Sequence, residues 1–177
     1  LLAITHSFRG AGEPRSVRPP PGIGDMRKPV SLEEIADTLE MLSEGTEAFL
    51  VMETGEIILV TDDDRTELES SDMESIPEWQ RDHLAKVRDI LETGKVIPFP
   101  SSFDIHEWSI MERFSNTITD QDARDSLIDA IHGKGAFRMF RNTCERFHLR
   151  ETWHAYRRSA YEEIAREWLQ DNEITFT

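Results

Sequence analysis

The residues best placed to do chemistry in this chain form one short box, Gly133-Lys134-Gly135-Ala136-Phe137-Arg138, followed by Phe140-Arg141. The chemistry it offers is anion binding. A helix start leaves backbone N–H groups without partners, and glycines beside it open that backbone to a ligand. Wound at ~100° per residue, residues 134–148 bring Phe137, Phe140, Cys144 and Phe147 into one arc, with Lys134, Arg138 and Arg141 in the neighbouring arc. The pattern predicts a helix that buries aromatics and shows a cationic stripe beside them. Three uses fit it. The plainest is a helix–turn–helix corner, with Gly133 ending one helix, Gly135 starting the next, and Arg138 and Arg141 paired with Glu145. Next comes a site for a small anion or an acidic protein partner, and third a nucleic-acid contact. A P-loop is excluded, because Lys134 lacks the long glycine-bounded loop before it and a Ser or Thr after it.

Other chemistry is thinner. Cys144 and His148 are four apart, as a thiol and its base would be on one helix face. Cys144, however, falls in the aromatic arc, where a free cysteine acts as a small hydrophobe. A zinc set would need Cys144 and His148 with His132 or His154, which has no recognised zinc-site spacing. Asp62-Asp63-Asp64 lacks the alternation, central glycine and closing Glu of a calcium loop. Trp153, Tyr156 and Trp168 recur as a buried helix face does, rather than as a base-stacking platform. No Ser-His-Asp order, paired catalytic carboxylates or dinucleotide fingerprint is present, so no catalytic residue, metal or cofactor is expected.

Charge ranks the partners. The 177 residues carry 20 basic and 35 acidic side chains, net −15. Residues 132–158 are the exception, with Lys134, Arg138, Arg141, Arg146, Arg150, Arg157 and Arg158 against Glu145 and Glu151. An acidic surface repels phosphate backbones and favours basic partners, which places protein ahead of nucleic acid. The longest apolar run, Ile57 to Val60, is far short of the about 20 residues a membrane span needs. A single cysteine precludes an intrachain disulfide and fits a reducing, cytoplasmic setting.

The elements that must position the box follow from periodicity. Residues 1–25, rich in Pro and Gly, read as a disordered tail or an upstream extension, with Met26 as the natural start. Residues 26–177 read as a single globular domain. Ser31-Leu32-Glu33-Glu34 is a capping box ahead of a helix over 32–43, ended by Gly45. Residues 48–52 and 56–60 flank Glu53-Thr54-Gly55 as a hairpin. The acidic stretch 61–75 reads as a solvated linker. Helices are expected over 77–92 (apolar side Trp79, Leu84, Val87), 103–118 (Phe103, Trp108, Met111, Phe114 inward), 120–132 capped by Thr119, 135–147 and 151–170. Glu167 is placed as a partner for Arg138, and Arg158-Glu162-Arg166 as a salt ladder on the last helix. The fold class is α+β, mainly α: a helix and antiparallel hairpin, then a compact bundle of about five helices.

The box, with Trp153 and the closing Glu167-Trp168-Leu169, resembles uncharacterised protein family 158. Pro100, Phe103-Asp104-Ile105, Met111-Glu112-Arg113-Phe114 and the turn Glu53-Thr54-Gly55-Glu56 resemble it too, so the likeness runs from Leu32 to Ile174. Met139 departs from it, standing where that family often has a basic residue. The resemblance implies a small bacterial cytosolic domain and brings no catalytic residues. Together these readings make Gly133, Lys134, Gly135, Arg138 and Arg141 the candidate site of a non-catalytic interaction module. A nucleic-acid-binding regulator and an enzyme with an unrecognised site are the alternatives.

Overall fold

A computed structural model describes residues 29–69 and 76–177. The expected tail 1–25, the start at Met26 and the end of the acidic stretch lie outside the described residues, as does the side chain of Trp79. The described elements run α1 (Leu32–Met41), β1 (Thr46–Val51), β2 (Ile57–Thr61), α2 (Asp62–Glu69), α3 (Glu78–Thr93), β3 (Val96–Pro98), α4 (Glu107–Thr117), α5 (Gln121–Ile131), α6 (Ala136–Arg146) and α7 (Arg150–Asp171). The fold is α+β and mainly α; six helices, α2 to α7, follow the hairpin, the expected five (α3 to α7) and one more, α2.

The hairpin supplies two strands of a three-stranded antiparallel sheet of order β2-β1-β3. Leu50 opposes Ile57 on one side and Ile97 on the other, while Phe49 opposes Ile58. Because side chains alternate along a strand, the sheet is lined on both faces. Ala48, Leu50 and Ile97 join the main core, and Phe49, Val51, Ile58 and Val60 pack with Val87 and Ile90 of α3. β3 comes from the stretch between the expected helices 77–92 and 103–118, to which the pattern assigns no element. Proline cannot donate to a ladder, yet it is tolerated on an edge strand, and β3 is an edge.

Where it is described, the acidic stretch is helix rather than linker: Asp62–Glu69 is α2. Its start is a reciprocal cap. The Thr61 N–H and hydroxyl each donate to Asp64 Oδ2 at 2.8 Å, and the Asp64 N–H donates back to Thr61 Oγ1 at 3.1 Å. Asp62, Asp63 and Asp64 all fall in the first turn, where the helix dipole favours negative charge. Burial works against ionising Asp64, but the Thr61 bonds and the His83 imidazole outweigh it and hold its carboxyl below the ordinary range.

The helical part packs around Phe114, Phe140 and Trp153, whose rings meet edge-on at centroid distances of 4.8–6.1 Å. Each such side chain contributes ~1.5–3 kcal/mol by leaving water. α7 lies along α1 and α4. Arg157 donates from Nε to Glu107 at 2.8 Å and from Nη1 to Glu40, so one guanidinium ties three helices. Arg158 reaches Asp37 and Glu33 of α1 as well as Glu162, so that step of the expected ladder forms. Two boundaries differ from expectation. α4 begins at Glu107 rather than 103, because the Asp104 carboxylate accepts from both the N–H and the hydroxyl of Ser101 and ties 101–104 into a turn. Phe103 therefore stands 72% exposed instead of facing inward. α5 is capped by Asp120, not Thr119: its carboxylate accepts the Ala123 N–H at 2.8 Å.

Candidate functional site

The candidate box sits at the corner between α5 and α6. α5 ends at Ile131, and His132 keeps a right-handed conformation as its C-cap. Trp108 of α4 buttresses this end. Its indole N–H donates at 3.0 Å to the Ile131 carbonyl, one of the helix-end carbonyls with no partner inside the helix, and its ring lies 6.0 Å from that of His132. Trp108 is consequently at the surface, 38% exposed, rather than inward.

The two glycines have different roles. Gly135 holds φ +75° as the N-cap of α6, a left-handed conformation that side-chain-bearing residues rarely adopt. Gly133 has no positive φ, and a Cβ there would meet nothing within 4 Å. Gly133 is therefore not required by the turn. No side chain caps the start of α6, and no acidic residue sits in its first turn. The positive end of that helix is left to whatever approaches it.

The stripe forms as spaced. Lys134, Arg138 and Arg141 are all exposed, and among the described residues none of their side chains makes an ion pair or hydrogen bond. Neither expected internal partner is used: Glu145 does not pair with Arg138 or Arg141, and Glu167 does not pair with Arg138. The rest of the basic stretch is divided. Arg157 and Arg158 are consumed by acids of α1, α4 and α7. Arg146 stacks over Phe147 at 4.8 Å, while Arg150 opens α7 in solvent.

Phe137 corrects the sequence reading. It belongs to the aromatic arc by angle, but it is 57% exposed, whereas Phe140 and Cys144 are buried. The reason is position: α6 begins at Ala136, so Phe137 lies in the first turn, beyond the neighbours that cover Phe140. It stands four residues before Arg141, so an aromatic ring and a guanidinium share one exposed flank. Exposed aromatic and arginine side chains of this kind are what protein interfaces enrich. Met139, on the other flank, is also exposed.

The residues of the thiol reading are not brought together. Cys144 is buried and its thiol is pushed up to about 11 by that burial, while His132 and His148 are exposed. His148 lies beyond the end of α6 with φ +56°. Trp153 and Trp168 are buried, as their spacing predicts, and the Trp168 indole N–H donates to the Pro98 carbonyl at 3.2 Å. Among the described residues no group of three or more His, Cys, Asp or Glu could hold a metal, and no helix is long and apolar enough to cross a membrane.

Sequence reasoning missed a groove. Pro100, Ile105, Ile110, Ile164 and Trp168 line a depression of about 400 Å³ between the start of α4 and the end of α7. Arg113, Glu167 and Asp171 stand around it. Its signal was the i, i+4 pair Glu167 and Asp171 on the face of α7 adjoining Trp168, visible only once α4 is laid alongside.

The fold and the corner thus define a small acidic α+β domain with a cation-rich, uncapped helix start. The model of an uncharacterised protein family (UPF0158) matches residues 27–177, and the chain belongs to that family. No curated protein and no solved structure matches it.

Proposed function

We propose that this protein is a non-catalytic interaction module of the bacterial cytoplasm, and that Lys134, Arg138 and Arg141, with Gly135 turning the chain and Gly133 leaving the approach open, engage an acidic group on a partner protein. One observation carries the reading: in a chain of net charge −15, these three cations are exposed and, among the described residues, unpaired beside an exposed Phe137, while Arg157 and Arg158 of the same stretch are taken up internally. Arginine offers forked, charge-assisted bonds to a carboxylate. The adjacent ring adds apolar area, and no internal acid has to be displaced. The cytoplasmic setting is supported by the single cysteine, Cys144, which can form no intrachain disulfide.

The test is charge reversal. Arg138→Glu with Arg141→Glu should remove specific partners from a pull-down that the unaltered protein retains, while circular dichroism shows the fold intact. An unchanged partner set refutes the proposal. Retention on RNA or DNA at low salt, lost as salt rises, would instead assign the stripe to nucleic acid.

A further inference from the structure

The groove between α4 and α7 has a largely apolar lining and a charged rim on which Asp104 is already held by Ser101 and three other groups have no partner among the described residues. Among the described residues, the side chains of Arg113, Glu167 and Asp171 make no ion pair or hydrogen bond. Glu167 and Asp171 are both exposed and four apart on α7, so they present two carboxylates on one side. The Asp104 carboxylate adds a third negative group, fixed by Ser101. The walls are Ile105, Ile110, Ile164 and the face of Trp168, which is anchored by its bond to the Pro98 carbonyl and its contact with Phe99 at 4.6 Å.

We infer that this groove docks an extended, basic segment of a partner protein, with an arginine or lysine stem laid over Ile164 and Trp168 and its head at Glu167 and Asp171. The complementarity is specific to that chemistry. A long basic side chain is an apolar stem with a cationic tip, which is what an apolar floor ending in carboxylates receives. Arg113, a pure donor, serves the backbone carbonyls of the same segment. The occupant is a polypeptide rather than a small free cation, because exposed ion pairs are each worth only about 0.2–1 kcal/mol. A free diamine would gain little from two of them, whereas a segment adds backbone bonds and apolar contact along the groove. The chain's net charge of −15 further attracts a basic partner. This site is separate from the cationic corner.

The experiment is a titration of the full-length, ¹⁵N-labelled protein with a blocked seven-residue peptide carrying two arginines among alanines. The same peptide with glutamates and free 1,5-diaminopentane serve as controls. The arginine peptide should shift the Trp168 indole N–H and the amides of Ile105, Ile164 and Asp171, and the effect should fall with salt. Glu167→Gln with Asp171→Asn should weaken binding about fivefold. Arg138→Glu with Arg141→Glu should leave those groove shifts in place, which separates this site from the corner. No shift, shifts centred elsewhere, insensitivity to the Glu167 and Asp171 changes, or diaminopentane binding as tightly as the peptide would each overturn the inference.

Discussion

Arg157 provides the measurement on which the reading of the other arginines rests. Its guanidinium donates from Nε to Glu107 at 2.8 Å, from Nη1 to Glu40 and from Nη2 to the Tyr161 hydroxyl at 3.4 Å, and it lies over the Tyr161 ring at 4.8 Å. Burial alone would lower its pKa, but the bond it donates to Glu107 and the charges of Glu107 and Glu40 more than offset this and hold it above the ordinary value. Arg157→Met keeps most of the stem and deletes the charge. The Arg157 side chain is 19% exposed, whereas Glu40 and Glu107 are 33% and 31% exposed. The stranded carboxylates can therefore regain water, and the cost falls below the about 3–5 kcal/mol of breaking a fully buried pair. Two charge-assisted bonds in this partly screened setting give ~2–3 kcal/mol. At about 2–4 °C per kcal/mol for a domain of this size, Tm should fall by about 4–12 °C. Arg138→Glu with Arg141→Glu, removing no contact, should stay within about 0.5 kcal/mol. Urea unfolding followed by tryptophan fluorescence at pH 7 and 0.15 M salt compares the two. If the corner variant costs as much as Arg157→Met, the corner arginines are structural and the proposed function fails with them.

Neighbouring phenylalanines should behave oppositely: Phe140→Ala should cost ~3–5 kcal/mol in urea unfolding, and Phe137→Ser less than about 0.5 kcal/mol, because only Phe140 fills the space between Phe114 and Trp153. Asp64 sets an acid-side dependence. Its carboxyl is held below the ordinary value in the folded state, so its stabilisation is complete above that ordinary value and lost as pH falls through the lower folded one. Asp64→Asn should therefore be less stable than the parent at pH 7, and the gap should close on acidification in pH-dependent unfolding. Cys144, buried and with its thiol raised to about 11, should stay unreactive toward an aromatic disulfide at pH 8 and react fully once urea unfolds the chain.

Several misreadings share one physical origin. The stretch 61–75 looks like a linker by composition, yet Thr61-Asp62-Asp63-Asp64 is also a helix-start signature, and the cap bonds decide in favour of a helix. The stretch between the helices expected over 77–92 and 103–118 shows no element by periodicity, yet it supplies a strand once β1 offers an edge to pair with. Phe103, Trp108 and Phe137 look internal by periodicity, which reports the angle around a helix but not whether anything lies opposite. Periodicity could not weigh the competing acids of Arg138 either. Glu145 and Glu167 were both in reach by sequence logic, and neither is used.

The sequence by itself determined the elements whose signals are local: the Ser31 cap, the hairpin about Gly55, the start of α6 at Gly135, and the burial of Phe140 and Cys144 on α6 and of Trp153 and Trp168 on α7. Backbone strain, capping bonds and 3.6-residue spacing act within a few residues, so they can be read along the chain. Tertiary structure alone decided which charges are spent. Packing α7 against α1 and α4 consumed Arg157 and Arg158, left Lys134, Arg138 and Arg141 in solvent, and opened the groove at Trp168. A charge is neutralised by whatever lies within a few ångströms, and for Arg157 the nearest acids, at positions 40 and 107, are far away along the chain.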